Sequence, residues 1–196
     1  MQRIVPAGPG RRVRSASVRR VVVIGSSGSG KTTFARLLAE RLGVPHIELD
    51  ALHWTEGDWR EPPPEVFRAR VTAATAAPAW VLDGGYVGKL GTLVWERADT
   101  LIWLDVPFHR SFWRMLRRSV ARVRSGQVLW GGNRETLRNV LFERDSLIFY
   151  TLRAQRGRAR RILDRLARPE VAHVRVLRFR SDAEAARWLA GVGSAG

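Results

Sequence analysis

The chain carries two hydrophobic rhythms. Five short, largely apolar runs are bounded by turn or polar residues: 20–24, 46–50, 80–83, 100–105 and 173–179. Runs of this length without polar alternation read as strands buried on both faces. Between them, apolar residues recur three and four positions apart, the period of amphipathic helices. This spacing predicts helices over 33–42, with Phe34, Leu37, Leu38 and Leu42 inward, and over 65–76, with Val66, Phe67, Val71 and Ala74 inward. A short helical segment is expected over 87–95. A long helix is expected over 107–124, with Phe108, Phe112, Met115, Leu116, Val120 and Val123 on one side and Arg110, Arg114, Arg117, Arg118, Arg122 and Arg124 on the other. Further helices are expected over 134–155, 158–167 and 182–190, the last capped by Ser181 or Asp182. Strands alternating with helices make an α/β fold, a parallel sheet covered on both faces. Ligands of such sheets sit beyond the carboxyl ends of the strands, where Asp50, Asp83 and Asp105 fall.

Composition adds limits. A chain of 196 residues with 45% hydrophobic content forms one domain with a substantial core. No apolar run is long enough to span a bilayer. The chain has no cysteine, hence no disulfide and no thiolate metal site. These features favour the cytoplasm. The net charge of +16 is carried almost wholly by arginine, since Lys31 and Lys89 are the sole lysines. Three readings compete: an anion-binding cleft, a basic patch for nucleic acid, and arginines spread over solvated faces. Residues 1–18 read as a disordered basic tail, with Arg3, Arg11, Arg12 and Arg14, and 19–196 as the folded domain.

The chemistry centres on Gly25-Ser26-Ser27-Gly28-Ser29-Gly30-Lys31-Thr32, which fits G-x-x-x-x-G-K-[ST] between a predicted strand and a predicted helix. Glycines let the backbone close on an anion, and amides at the helix start, through Thr33, point at phosphate. Lys31 would reach the β- and γ-phosphates of a nucleoside triphosphate such as ATP, and the Thr32 hydroxyl would ligate Mg²⁺. The magnesium carboxylate is a choice between Asp83 and Asp105, each ending an apolar strand.

Beyond that loop, Pro45-His46-Ile47-Glu48-Leu49-Asp50-Ala51-Leu52-His53-Trp54, Trp80-Val81-Leu82-Asp83-Gly84-Gly85-Tyr86 and Arg97-Ala98-Asp99-Thr100-Leu101-Ile102-Trp103-Leu104-Asp105 carry a resemblance. Over about residues 20–179 the chain resembles the adenylate- and shikimate-kinase-like P-loop proteins, most closely the bacterial DNA topology modulation protein family. The resemblance implies a three-layer fold with a five-stranded sheet in the order 2-3-1-4-5. It also implies a short lid over about 125–134 and γ-phosphoryl transfer from ATP to a nucleoside, nucleotide or other small hydroxyl acceptor. It favours Asp83 for magnesium. It places Asp50 as the acceptor-binding or base carboxylate, although Asp50 also suits a helix N-cap, and sets His53 and Trp54 beside the acceptor. It matches Arg114 and Arg118 to phosphate-holding arginines and Arg134 to a lid arginine. The family label also implies an alternative, a nucleotide-dependent nucleic-acid-binding or regulatory protein. The chain departs from adenylate kinases after Gly84. Gly85-Tyr86-Val87-Gly88-Lys89 lacks their acceptor-phosphate arginine, and Lys89 alone could substitute.

Overall fold

The computed structural model describes residues 4–6, 18–57, 59–136, 140, 153, 155 and 157–192. In chain order these form β1 (Ile4–Pro6), β2 (Arg20–Gly25), α1 (Lys31–Leu42), β3 (His46–Glu48), α2 (Leu49–His53), α3 (Pro64–Ala74), β4 (Trp80–Asp83), α4 (Val87–Leu90), α5 (Leu93–Arg97), β5 (Thr100–Leu104), α6 (Phe108–Ser125), α7 (Arg158–Leu166), β6 (Arg175–Phe179) and α8 (Asp182–Ala190). The sheet is parallel throughout, in the order β1-β6-β5-β2-β4-β3. Without β1 this is the expected 2-3-1-4-5 arrangement. β1 is a correction: part of the segment read as a disordered tail pairs Ile4 with Val176 and Pro6 with Arg178. The open edge of β6 presents unpaired backbone groups, and a β-favouring Ile-Val pair satisfies them.

The strand pattern explains the layers. Val22 and Ile24 face one core, with Leu82, Trp103, Phe67 and Ile162, while Val21 and Val23 face the other, with Phe34, Leu38, Phe179 and Leu189. Central β2 is thus apolar on both sides, as a continuous Val-Val-Val-Ile run requires. Register then sets the site. Asp83 lies opposite Val23 and Glu48 opposite Asp83, so the carboxyl ends of β3 and β4 flank the loop that leaves β2 at Gly25.

Several boundaries differ from expectation. The second strand of the motif ends at Glu48, and Asp50 lies in the first turn of α2 with Glu48 at the N-cap position. The 87–95 segment is two helices, because Gly91 at φ +60° breaks it. On α6 the buried stripe is Ser111, Met115 and Ser119, one helical turn apart; Phe108, Phe112, Leu116 and Val120 are half-buried. Small residues win there because α6 comes very close to the phosphate loop. A Cβ on Gly28 would lie 2.0 Å from the Ser111 carbonyl oxygen. Most of the helix expected over 134–155 lies outside the described residues.

Candidate active site

The loop from Gly25 to Thr32 closes between β2 and α1. Its turn is held by the Ser29 N–H donating to the Ser26 carbonyl at 3.0 Å, and by Ser26 Oγ donating to Ser111 Oγ at 3.1 Å. Gly28 and Gly30 take φ +76° and +84°, a region L-residues enter only with strain. Gly25 gives room to the Ser29 hydroxyl, which would lie 2.3 Å from a Cβ there. No protein atom stands within 4 Å of a Cβ built on Gly30. Thr33 lies exposed in the first turn of α1.

Thr32 and Asp83 meet. Thr32 Oγ1 donates to Asp83 Oδ2 at 2.6 Å, and His46 Nε2 donates to Asp83 Oδ1 at 3.0 Å. Asp83 is 2% exposed. Asp105 is turned elsewhere: Arg178 Nε donates to its Oδ2 at 2.9 Å while the guanidinium stacks 4.2 Å over the Trp103 ring. The Thr32–Asp83 pair suits Mg²⁺, an oxygen-seeking ion. Among the described residues no group of three or more His, Asp or Glu forms a protein-only metal cage. The Ser29 hydroxyl, buried without a hydrogen-bond partner, is an unspent polar group in the same loop.

Lys31 sits at the centre. Burial lowers its pKa, the Asp50 and Asp83 carboxylates oppose that fall, and Arg118 and Arg158 add to it. Asp50 is oriented by Tyr86, whose hydroxyl donates to its Oδ1 at 2.8 Å. Glu48 lies in the same carboxylate field. Burial, then Asp83 and Asp50, raise its pKa, against the Trp130 indole N–H that donates to its Oε2 at 3.2 Å.

The three arginines expected to hold phosphate separate. Arg118, an exposed side chain, stands in this field: desolvation and Arg122 lower its pKa while Glu135, Asp50 and Glu48 raise it. Arg114 is engaged by another partner. Both its terminal nitrogens bind Asp182 at the start of α8, which holds the Asp182 carboxyl below its usual range. It sits one turn before Arg118, where the helix face looks toward α8. Arg134 is exposed at the lid base, pairs through its backbone with Val128, and accepts the Trp59 indole N–H on its carbonyl at 3.2 Å.

The expected lid, over 125–134, lies on the segment that follows α2. Asn133, 2% exposed, donates from Nδ2 to the Glu56 carbonyl at 2.9 Å and accepts the Trp59 N–H on Oδ1 at 2.6 Å. Gly131 approaches so closely that a Cβ would lie 2.7 Å from the Thr55 carbonyl carbon. Its root is fixed by Arg122, which donates to Glu135 at 2.8 Å. His53 and Trp54 do meet at this segment, their rings 4.5 Å apart edge to face. Sequence reasoning missed His46, Glu48, Asn133, Trp130 and Arg158. Glu48 could have been found, since it stands two residues before Asp50; the others join the site only across 37 residues or more of chain.

The architecture is a parallel α/β sheet with a phosphate loop leaving its central strand, the P-loop fold. The sequence model of the ATPase family associated with various cellular activities (AAA) matches residues 21–82, which span the phosphate loop through β4. No curated protein matches the chain. Among solved structures, shikimate kinase from Bacteroides thetaiotaomicron matches at 17% identity with a TM-score of 0.51, covering 88% of this chain and 95% of that one. Shikimate kinase from Acinetobacter baumannii in complex with shikimate matches at 20% identity and TM-score 0.48, over 90% and 93%. A gluconokinase from Sinorhizobium meliloti 1021 matches at 20% and 0.46, over 90% and 92%. At these identities the likeness is one of fold. No helix among the described residues is long and apolar enough to cross a membrane.

Proposed function

We propose that the protein is an ATP-dependent kinase, adenylate-kinase-related in mechanism, acting on a small hydroxyl acceptor. The observation that carries this reading is the setting of Lys31, half-buried at the head of α1 in the field of Asp50 and Asp83, with Tyr86 orienting the first and Thr32 bound to the second. The loop amides and Lys31 bind the triphosphate. Thr32 and Asp83 would hold Mg²⁺, which would supply neutralisation of phosphate charge. Asp50, anchored through one oxygen, offers the other to the acceptor hydroxyl. As the acceptor oxygen bonds to the γ-phosphorus, the bond to the β–γ bridging oxygen breaks, ADP leaves, and the hydroxyl proton passes to Asp50. Arg118 stabilises the charge spread over the equatorial oxygens. Asn133 and Trp130 hold the lid down and exclude water.

The test is ADP formation with ATP and Mg²⁺ across a panel of hydroxyl acceptors. Acceptor-dependent turnover that the Lys31→Ala variant lacks supports the kinase; a panel that gives no more turnover than that variant sinks it. One observation favours a second reading, the nucleic-acid binding implied by the resemblance to DNA topology modulation proteins. Trp113 is 58% exposed on α6, with the exposed Arg110 and Arg117 beside it. A base-stacking ring among cations binds single strands. Duplex or single-strand affinity that falls steeply with salt and is lost in Trp113→Ala supports it; no affinity at low salt removes it.

A further inference from the structure

We propose, resting on the kinase reading above, that the acceptor carries no phosphate or carboxylate group, and that Glu61 sets this preference by neutralising Lys89. The acceptor wall is built from α2, the segment after it, α3 and the turn after β4. An anionic acceptor would need a free cation there. Lys89 is the natural candidate, since one connected set of contacts leads from it to Asp50. Lys89 Nζ donates to His53 Nε2 at 3.1 Å, the His53 ring lies 4.7 Å from that of Tyr86, and Tyr86 binds Asp50. Yet Lys89 Nζ also lies 2.7 Å from Glu61 Oε1, so its charge is already met.

The other arginines of this wall are spent on protein groups too. Arg70 donates to Thr55 Oγ1 at 2.7 Å and to the Leu52 carbonyl, and Arg68 donates to the Lys89 carbonyl at 3.2 Å. Arg60 lies on the exposed rim. His53 adds no charge. An ammonium can only donate, so Nε2 accepts, the ring is neutral, and its proton sits on Nδ1, buried without a partner. Burial and Lys89 both lower the His53 pKa, in keeping with that state. Lys31 and Arg118 both stand in the field of Asp50, and Glu48 adds a second carboxylate to that field, so these cations already face carboxylates of the protein. Two carboxylates and a neutralised lysine repel an anion and accept hydrogen bonds from hydroxyls. The Glu61–Lys89 pair is partly exposed, with side chains 59% and 34% accessible, so it contributes little to stability and its effect is on local charge.

The test uses acceptor pairs that share a skeleton and differ in charge: a polyol and its aldonate, a nucleoside and its 5′-monophosphate. Binding is read by tryptophan fluorescence with Mg·ADP present, without turnover. The uncharged member of at least one pair is expected to bind at least about tenfold more tightly than its anionic partner, and Glu61→Gln, checked for folding by its thermal midpoint, to narrow that ratio at least about threefold. The proposal is overturned if the anionic member binds the wild type as well or better, if Glu61→Gln leaves the ratio unchanged, or if no uncharged member binds. Binding with the expected preference but without Lys31-dependent ADP formation would sink the kinase reading alone.

Discussion

The Trp59 backbone N–H donates to the Asn133 side chain at 2.6 Å, while Trp59 itself sits at φ +52°. A bulky residue enters that region only when its surroundings impose it. Here the lid imposes it: Asn133 holds the amide, and the Arg134 carbonyl holds the indole N–H. Lid and acceptor segment therefore behave as one unit. Asn133→Ala is expected to cost about 1–3 kcal/mol, because buried partners lose their hydrogen bonds. The lid then loosens, which raises KM for the acceptor more than for ATP. Urea unfolding and the two KM values check this; an unchanged acceptor KM would separate the lid from the acceptor.

Gly28 and Gly30 share a left-handed backbone yet differ in surroundings. A Cβ on Gly28 meets the Ser111 carbonyl and the Met115 nitrogen, whereas one on Gly30 meets open space. Gly30→Ala is expected to cost about 1–2 kcal/mol from the backbone alone. Gly28→Ala adds a backbone clash and is expected to cost about 3 kcal/mol or more, with α6 pushed from the loop. Equal unfolding free energies for the two variants would contradict the close loop–helix packing.

Asp83 and Asp105 both end strands, but Asp83 binds Thr32 and Asp105 binds Arg178. Asp83→Asn is expected to weaken Mg²⁺-dependent ATP binding by about 10- to 100-fold. Asp105→Asn is expected to change it less than about threefold and to cost under about 1 kcal/mol, its ion pair being partly exposed. Titration calorimetry with and without Mg²⁺ reads both. A larger loss in Asp105→Asn would reverse the assignment.

Glu48 is half-buried, and its partial burial and then the nearby Asp83 and Asp50 carboxylates raise its pKa above the usual carboxylate range. A group that binds its proton more tightly when folded stabilises the protein at low pH. That contribution is lost as pH rises through the folded pKa. Above that point the charged Glu48 is a burden. Glu48→Gln keeps an acceptor for Trp130 and removes the charge, so it is expected to melt higher than wild type at pH 7, with the gap closing as pH falls toward about 4. A gap that widens on acidification would refute the sign.

Much of the fold was legible. The strand over Trp80–Asp83 and the helix over Asp182–Ala190 stand where the periodicity puts them, because apolar pattern and caps act locally. Pattern misled on α6, where the most apolar stripe is not the most buried. Contact with the phosphate loop selects small Ser111 over a larger hydrophobic.

By itself, then, the sequence determined the alternation of strands and helices and the phosphate loop, and so the side of the sheet on which the cleft opens. Each of these is written in a few consecutive residues. Tertiary structure decided what each polar group spends its hydrogen bonds on. Register across parallel strands joined Thr32 to Asp83 and left Asp105 to Arg178. Docking of the lid brought Trp130 to Glu48, 82 residues away in sequence. Folding of α2 and of the segment after it against α4 gave Lys89 its partners, His53 and Glu61. A side chain's charge is set by its type, but whether that charge is free depends on the neighbours that folding brings to it.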